Sequence, residues 1–116
     1  MIRVERMKKL VARGRPYLET IFTEKEINYC ESKTRKAEHY AARYAGKEAL
    51  LKALGCGWRD GVAFSEIEID NDELGKPGIS LQGKVKNVFE GQHIKQASIS
   101  LSHIDEIAIA VVILEK

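Results

Sequence analysis

Ala41-Ala42-Arg43-Tyr44-Ala45-Gly46-Lys47-Glu48-Ala49-Leu50-Leu51-Lys52-Ala53-Leu54 is the stretch that decides the fold. Small and apolar side chains surround a helix of this composition almost completely, so it is expected to be largely buried. The pattern reaches back to Thr34, and Gly55 follows as a natural C-terminal cap. A helix from Thr34 to Leu54 would be about 31 Å long. Something must pack on it from several sides, and both flanks of the sequence offer elements that can.

Upstream, Val4, Met7, Leu10 and Val11 recur at helical spacing, so residues 2–13 read as an amphipathic helix that Gly14 ends. A short helical turn is expected around Tyr17–Phe22. Thr23 with Glu26 three residues on has the form of a capping box, opening a helix to about Cys30. Downstream the texture changes. Gly55-Cys56-Gly57 and Asp60-Gly61 are loop signals. Residues 65–70 alternate with period two and read as a strand. Asn71–Gly78 forms a turn, Ile79 and Leu81 suggest a short strand, and Lys84–Glu90 a short helix. Residues 97–102 alternate again, placing Ala97, Ile99, Leu101 and His103 on one face and three serines on the other. The final strand, Ile107–Leu114, is apolar on both faces and should be covered on both. Helices first and strands later argue for an α+β fold, with helices packed on a mostly antiparallel sheet.

The chain has 116 residues, 44% of them apolar and 31% charged, which fits a single domain over residues 1–116. Its longest apolar run has strand length, far short of the roughly 20 residues a membrane-spanning helix needs, so no membrane partner is expected. Cys30 and Cys56 make neither a disulfide framework nor a zinc site, and a reduced, cytoplasmic protein is the default. The net charge of +2 is unevenly distributed. Residues 1–15 carry six bases (Arg3, Arg6, Lys8, Lys9, Arg13, Arg15) against Glu5, whereas residues 65–75 carry five acids and no base. A basic amphipathic helix suggests an acidic partner; a solvated helix face is the plainer alternative.

The chemistry gathers on the long helix. Arg43 and Lys47 are one turn apart, and Glu48 and Lys52 form an acid-first i,i+4 pair. Three cations and a carboxylate facing one cleft would suit a polyphosphate with a divalent metal. Basic side chains neutralise phosphate oxygens, and Mg²⁺ takes one or two carboxylates plus phosphate oxygens and waters. A structural ion-pair set is the competing reading. Gly46 costs about 1 kcal/mol of helix stability against alanine, which is explained if something large approaches the backbone there. Gly55-Cys56-Gly57 gives a ligand close access to the chain. No Walker or GxGxxG motif is present. His39 and His93 lie in polar stretches and are assigned nothing, while His103 ends the serine-striped strand.

Three blocks, in register, carry a resemblance. Residues 43–55 resemble the Arg-Phe-x-x-Lys-Glu-Ala-x-x-Lys-Ala-x-Gly helix of the holo-acyl-carrier-protein synthases, the short class of 4′-phosphopantetheinyl transferases. Gly75-Lys76-Pro77 with Ile79 and Leu81, and Ser98-Ile99-Ser100-Leu101-Ser102-His103 with the apolar last strand, match the later blocks; Ile21–Ile27 resembles the link between its early helices. The resemblance spans nearly the whole chain. It implies transfer of 4′-phosphopantetheine from coenzyme A to a serine of an apo acyl carrier protein, releasing adenosine 3′,5′-bisphosphate. It further implies that Glu48 holds Mg²⁺ and that Lys52 touches the reacting phosphates. Arg43 and His103 would bind the 3′-phosphate, and Lys47, Gly55, Lys76, Pro77 and Ser102 would serve the coenzyme A pocket. Arg6, Leu10, Arg13 and Tyr17 fall where the family docks its acidic carrier, and the family is usually a homotrimer with sites between subunits.

The family also begins with a strand ending in a second Mg²⁺-ligating aspartate. Aligned without gaps, that aspartate falls just before Met1, so the first strand is expected to be missing and Glu48 to be the one metal carboxylate. A non-catalytic coenzyme A or carrier-binding module is the alternative function. A small RNA-binding domain is a third reading, and the lack of an aromatic-rich strand pair counts against nucleic acid as partner.

Overall fold

The structure is a computed structural model that describes residues 1–57 and 61–116; Asp60 of the Asp60-Gly61 loop signal lies outside the described residues. The elements run β1 (Ile2–Arg3), α1 (Val4–Val11), α2 (Arg15–Leu18), α3 (Glu24–Glu31), α4 (Lys36–Leu54), β2 (Ile67–Asn71), β3 (Pro77–Leu81), α5 (Gly83–Gly91), β4 (Gln96–His103) and β5 (Ile107–Glu115). A short 3-10 turn, Phe64–Glu66, precedes β2. Every ladder is antiparallel, as expected, but the strands form two sheets: β1-β5-β4 and β2-β3. Among the described residues no helix is long and apolar enough to cross a membrane.

Helix α4 is the hub. Tyr40, Ala41, Ala42, Ala45, Leu50, Leu51 and Leu54 are buried, and α1, α3 and both sheets pack around it. Gly55 caps it at φ 74, a left-handed conformation that glycine adopts without strain. A Cβ on Gly46 would stand 2.6 Å from Ile69 Cδ1 and 2.9 Å from Ile99 Cδ1. The large group that approaches this glycine is therefore core: one side chain from each sheet crosses α4 there. The capping box is present, with Glu26 N donating to Thr23 Oγ1 at 3.3 Å and Thr23 N donating to Glu26 Oε1 at 2.9 Å.

Two local expectations are corrected. The first helix starts at Val4 because Ile2 and Arg3 pair with Ala108 and Ile107 instead, giving a short first strand where none was expected. Burial of Ile2 and the bond from Val4 N to Glu106 O (2.8 Å) favour that pairing over an extra helical half-turn. The last strand is not covered on both faces within one chain. Ala108 is buried, but Ile109, Val111 and Ile113 are 46%, 53% and 56% exposed. An apolar row along the middle strand of a sheet is the kind of patch that marks an interaction surface.

The acidic run is structural. Asp70 pairs with Lys25 at 2.7 Å. Glu68 accepts from Thr23 Oγ1 at 2.6 Å. Asp72 Oδ1 accepts from Leu74 N and Lys76 N to close the β2–β3 turn, and Glu66 accepts from Ala63 N and Lys84 N.

Candidate active site

The two halves of α4 face different surroundings. Toward its C-terminal end, Glu48 and Lys52 line a cleft of about 170 Å³ with Leu51, Cys56, Gly57, Val62 and Phe64. Glu48 is half-buried and Lys52 exposed. No ion pair joins the two within 4.0 Å among the described residues, so the expected i,i+4 pair is not closed and both charges face the cleft. Gly55 ends the helix at the cleft mouth, and its N–H donates to Lys52 O (3.1 Å).

Toward the N-terminal half, Arg43 is 2% exposed. Its Nη2 donates to Asn71 Oδ1 at 2.8 Å, and its guanidinium lies 4.1 Å from the Tyr29 ring centre. Its Nε is buried without a hydrogen-bond acceptor, which is costly unless a ligand or water supplies one. Asn71 Nδ2 donates to Gly75 O (2.9 Å), tying Arg43 to the loop that carries Lys76 and Pro77. Those two residues line a shallow concavity with Asn71 and Asp72. On the other side, Tyr29 meets His39 edge-on at 5.8 Å, and His39 meets His103 at 4.9 Å. His103 Nδ1 lies 2.9 Å from Glu38 Oε1, and Arg35 pairs with both Glu38 and Asp105. The hydrogen bond to His103 holds the Glu38 carboxyl below its ordinary value. Burial, then the neighbouring His103 and Arg43, lowers His39. Ser102 is exposed beside His103.

Arg43, Lys76, Pro77 and His103 are thus linked by contacts, while Glu48, Lys52 and Gly55 form a second group. Lys52 lies nine positions beyond Arg43, about 13.5 Å along the helix. Lys47 belongs to neither group, against the expectation that it serves the coenzyme pocket. It is fully buried, and its Nζ donates to Glu26 Oε1 (2.5 Å), Ile21 O (2.7 Å) and Phe64 O (3.2 Å), which uses all three N–H bonds. Burial lowers its affinity for a proton, and Glu26 opposes that.

On the first helix, Arg6 and Arg13 are exposed and Leu10 half-buried; Arg13 stacks 3.8 Å from the Tyr17 ring centre. Tyr44, which sequence reasoning passed over, joins the surfaces. Burial raises its hydroxyl pKa, with smaller influences from Arg6, Glu48 and Tyr17, and its ring lies 5.2 Å from Phe64 in the cleft wall. Asn71, Tyr29 and His39 were also missed, because their roles come from partners distant in sequence. A separate groove between β3, α5 and β4, lined by Ile79, Leu81 and Phe89, holds none of the candidate catalytic or binding residues.

A metal has one candidate carboxylate here. Among the described residues no three His, Cys, Asp or Glu side chains could form a metal cage. Glu48 fits a Mg²⁺ ion that takes most of its ligands from phosphate and water, the usual arrangement for this ion.

The family model of the 4′-phosphopantetheinyl transferase superfamily matches residues 2–112. A holo-[acyl-carrier-protein] synthase of Geobacter sp. (strain M21) is 41% identical over 117 residues, covering 100% of this chain and 94% of the relative. The crystal structure of the Neisseria meningitidis holo-[acyl-carrier-protein] synthase superposes with a TM-score of 0.87 at 31% identity, covering 99% of this chain and 93% of that one. The Helicobacter pylori enzyme, solved in complex with coenzyme A, gives 0.83 at 30% identity over 98% and 95%. With the α4 motif, the cleft and the match along nearly the whole chain, this protein belongs to the 4′-phosphopantetheinyl transferase superfamily, as an enzyme of the holo-acyl-carrier-protein synthase family.

Proposed function

We propose that the protein transfers 4′-phosphopantetheine from coenzyme A to a serine hydroxyl of an apo acyl carrier protein, with Mg²⁺, releasing adenosine 3′,5′-bisphosphate. The observation that carries this reading is the pair of open charges, Glu48 and Lys52, one turn apart on a cleft whose neighbouring cation, Lys47, is fully engaged. In the reaction the serine oxygen bonds to the phosphorus that bears pantetheine and loses its proton to solvent, and the bond from that phosphorus to the bridging pyrophosphate oxygen breaks. Lys52 neutralises charge on the phosphates and gives a proton to the departing one. The nucleotide's 3′-phosphate goes to Arg43, whose Nε lacks an acceptor, and to His103; Lys76, Pro77 and Ser102 flank it. Glu48 would hold Mg²⁺, which would supply charge neutralisation at the pyrophosphate. Positioning and charge do most of the work in phosphoryl transfer.

Because the Glu48 cleft and the Arg43–His103 cluster lie on separate halves of α4, one bound coenzyme A is completed by two copies of the chain in a homotrimer. The exposed row Ile109, Val111 and Ile113 supports such an interface. Arg6, Leu10, Arg13 and Tyr17 receive the acidic carrier beside Tyr44, at the rim of the cleft. Glu48 is the one carboxylate among the described residues that line the cleft, which favours one second reading, a module that binds coenzyme A or the carrier without turnover.

Carrier mass after incubation with coenzyme A and Mg²⁺ separates the two, and Glu48→Gln tests the metal role within the first. The substitution keeps the side chain's shape and removes its charge. A transferase loses about two orders of magnitude or more in Mg²⁺-dependent rate, comparable to removing one oriented electrostatic group from a transition state. Unchanged turnover and Mg²⁺ dependence would remove Glu48 from the site.

A further inference from the structure

The ion pair Lys47–Glu26 joins four segments of chain. Lys47 Nζ holds Ile21 O, ahead of α3, and Phe64 O, in the turn before β2. Glu26 Oε1 accepts from Lys47 and from Thr23 N, and Oε2 accepts from Ile69 N (2.9 Å), in β2. Both side chains are essentially inaccessible. Desolvation takes back most of what such a pair contributes, so an apolar replacement is often neutral for stability. What an apolar pair does not reproduce is direction: three acceptors fixed around one nitrogen. Glu48 follows Lys47 by about 100° around the helix, and it faces the cleft whose wall is Phe64, the residue whose carbonyl Lys47 holds. The pair therefore grips both sides of that cleft from behind.

We propose that Lys47 and Glu26 are positioning residues for the Glu48 cleft, setting the separation between α4 and the Phe64 wall so that Glu48 meets a phosphate-bound divalent cation. This rests on the proposed function. Neither residue touches substrate; both act through Glu48 and Phe64.

The test compares the full chain with Lys47→Met/Glu26→Gln, which removes both charges while the amide oxygen still accepts from one of the two backbone N–H groups that the carboxylate serves. Tm is measured, then Mn²⁺ affinity in the presence of coenzyme A by electron paramagnetic resonance, then transfer rate against Mg²⁺ concentration. The double variant should still melt cooperatively, at a Tm lowered by the two carbonyls left without a donor, and bind Mn²⁺ at least about tenfold more weakly, the scale of removing support behind a metal ligand. The Mg²⁺ concentration for half-maximal rate should rise by the same factor, with the carrier-protein KM unchanged. A folded double variant with wild-type Mn²⁺ affinity and Mg²⁺ dependence overturns the inference. If the double variant does not fold, Glu26→Gln alone is the variant to read. It preserves the Ile21 and Phe64 contacts of Lys47, and unaltered Mn²⁺ affinity in it likewise overturns the inference. A wild-type chain that transfers nothing at any Mg²⁺ concentration breaks the proposed function and this inference with it; wild-type transfer with unaltered variants breaks the inference alone.

Discussion

Lys47 and Arg43 stand one turn apart on α4, both nearly inaccessible, and they differ in what surrounds them. Lys47 has three acceptors for three donors. Arg43 has Asn71 and the face of Tyr29, and one buried N–H with no acceptor. Near Lys47 the chain closes on itself from four directions. Near Arg43 it leaves a string of polar rings, Tyr29, His39 and His103, that ends at an exposed strand terminus. Burial alone does not distinguish a structural charge from a functional one. Under the proposed function the unfilled Arg43 donor is completed by the ligand, which Lys47 has no donor left to do.

Substitution at each cation tests that contrast, and the largest effect is expected at Lys47. Lys47→Ala strands the Glu26 charge in the core and should cost about 3–5 kcal/mol of stability, read from urea denaturation. A loss below about 1 kcal/mol would mean the junction is not closed as described. Arg43→Met should do the reverse. Its orphaned donor disappears with it, so stability should move by no more than about 1 kcal/mol. The KM for coenzyme A should rise about tenfold or more, the scale of one charge-assisted bond to phosphate, with His103→Ala following in the same direction. An Arg43→Met protein that loses several kcal/mol of stability yet keeps the wild-type KM for coenzyme A would invert the comparison.

The smallest effect is a pH dependence. Glu38, hydrogen-bonded to His103, has a folded pKa below its ordinary 4.5. Folding therefore gains from its ionised form above that value, and the gain is lost as pH falls through the lowered folded pKa. Glu38→Gln should reduce the slope of stability against pH below about 4.5 and leave it unaltered near neutrality. An identical acid limb in the variant would show that the Glu38–His103 contact is absent in solution.

What was legible in the sequence was local. The capping box at Thr23 and Glu26, the long buried helix and its Gly55 cap each depend on residues a few positions apart. The α4 motif also pointed to Glu48 and Lys52, which the fold does place on one cleft. The core partners of Lys47 were not legible, because Glu26 lies 21 residues upstream and helical spacing gives no sign of a cross-element bond. Gly46 suggested a close approach, but only the packing of Ile69 and Ile99 shows that core rather than ligand makes it. His39 had no sequence neighbour to pair with; its stacking on Tyr29 and His103 arises from α3 and β4 meeting across α4. The strand at Ile2–Arg3 lost to a helical pattern on paper because its pairing partner, β5, is over 100 residues away.

The most direct test of the central claim uses an apo acyl carrier protein incubated with this chain, coenzyme A and Mg²⁺, followed by intact-mass spectrometry. The account predicts a carrier heavier by one phosphopantetheine on its serine, with adenosine 3′,5′-bisphosphate formed in equal amount, and a carrier that keeps its apo mass when Mg²⁺ is chelated. A chain that binds coenzyme A and the carrier, yet leaves the carrier mass unaltered with Mg²⁺ present, would contradict it.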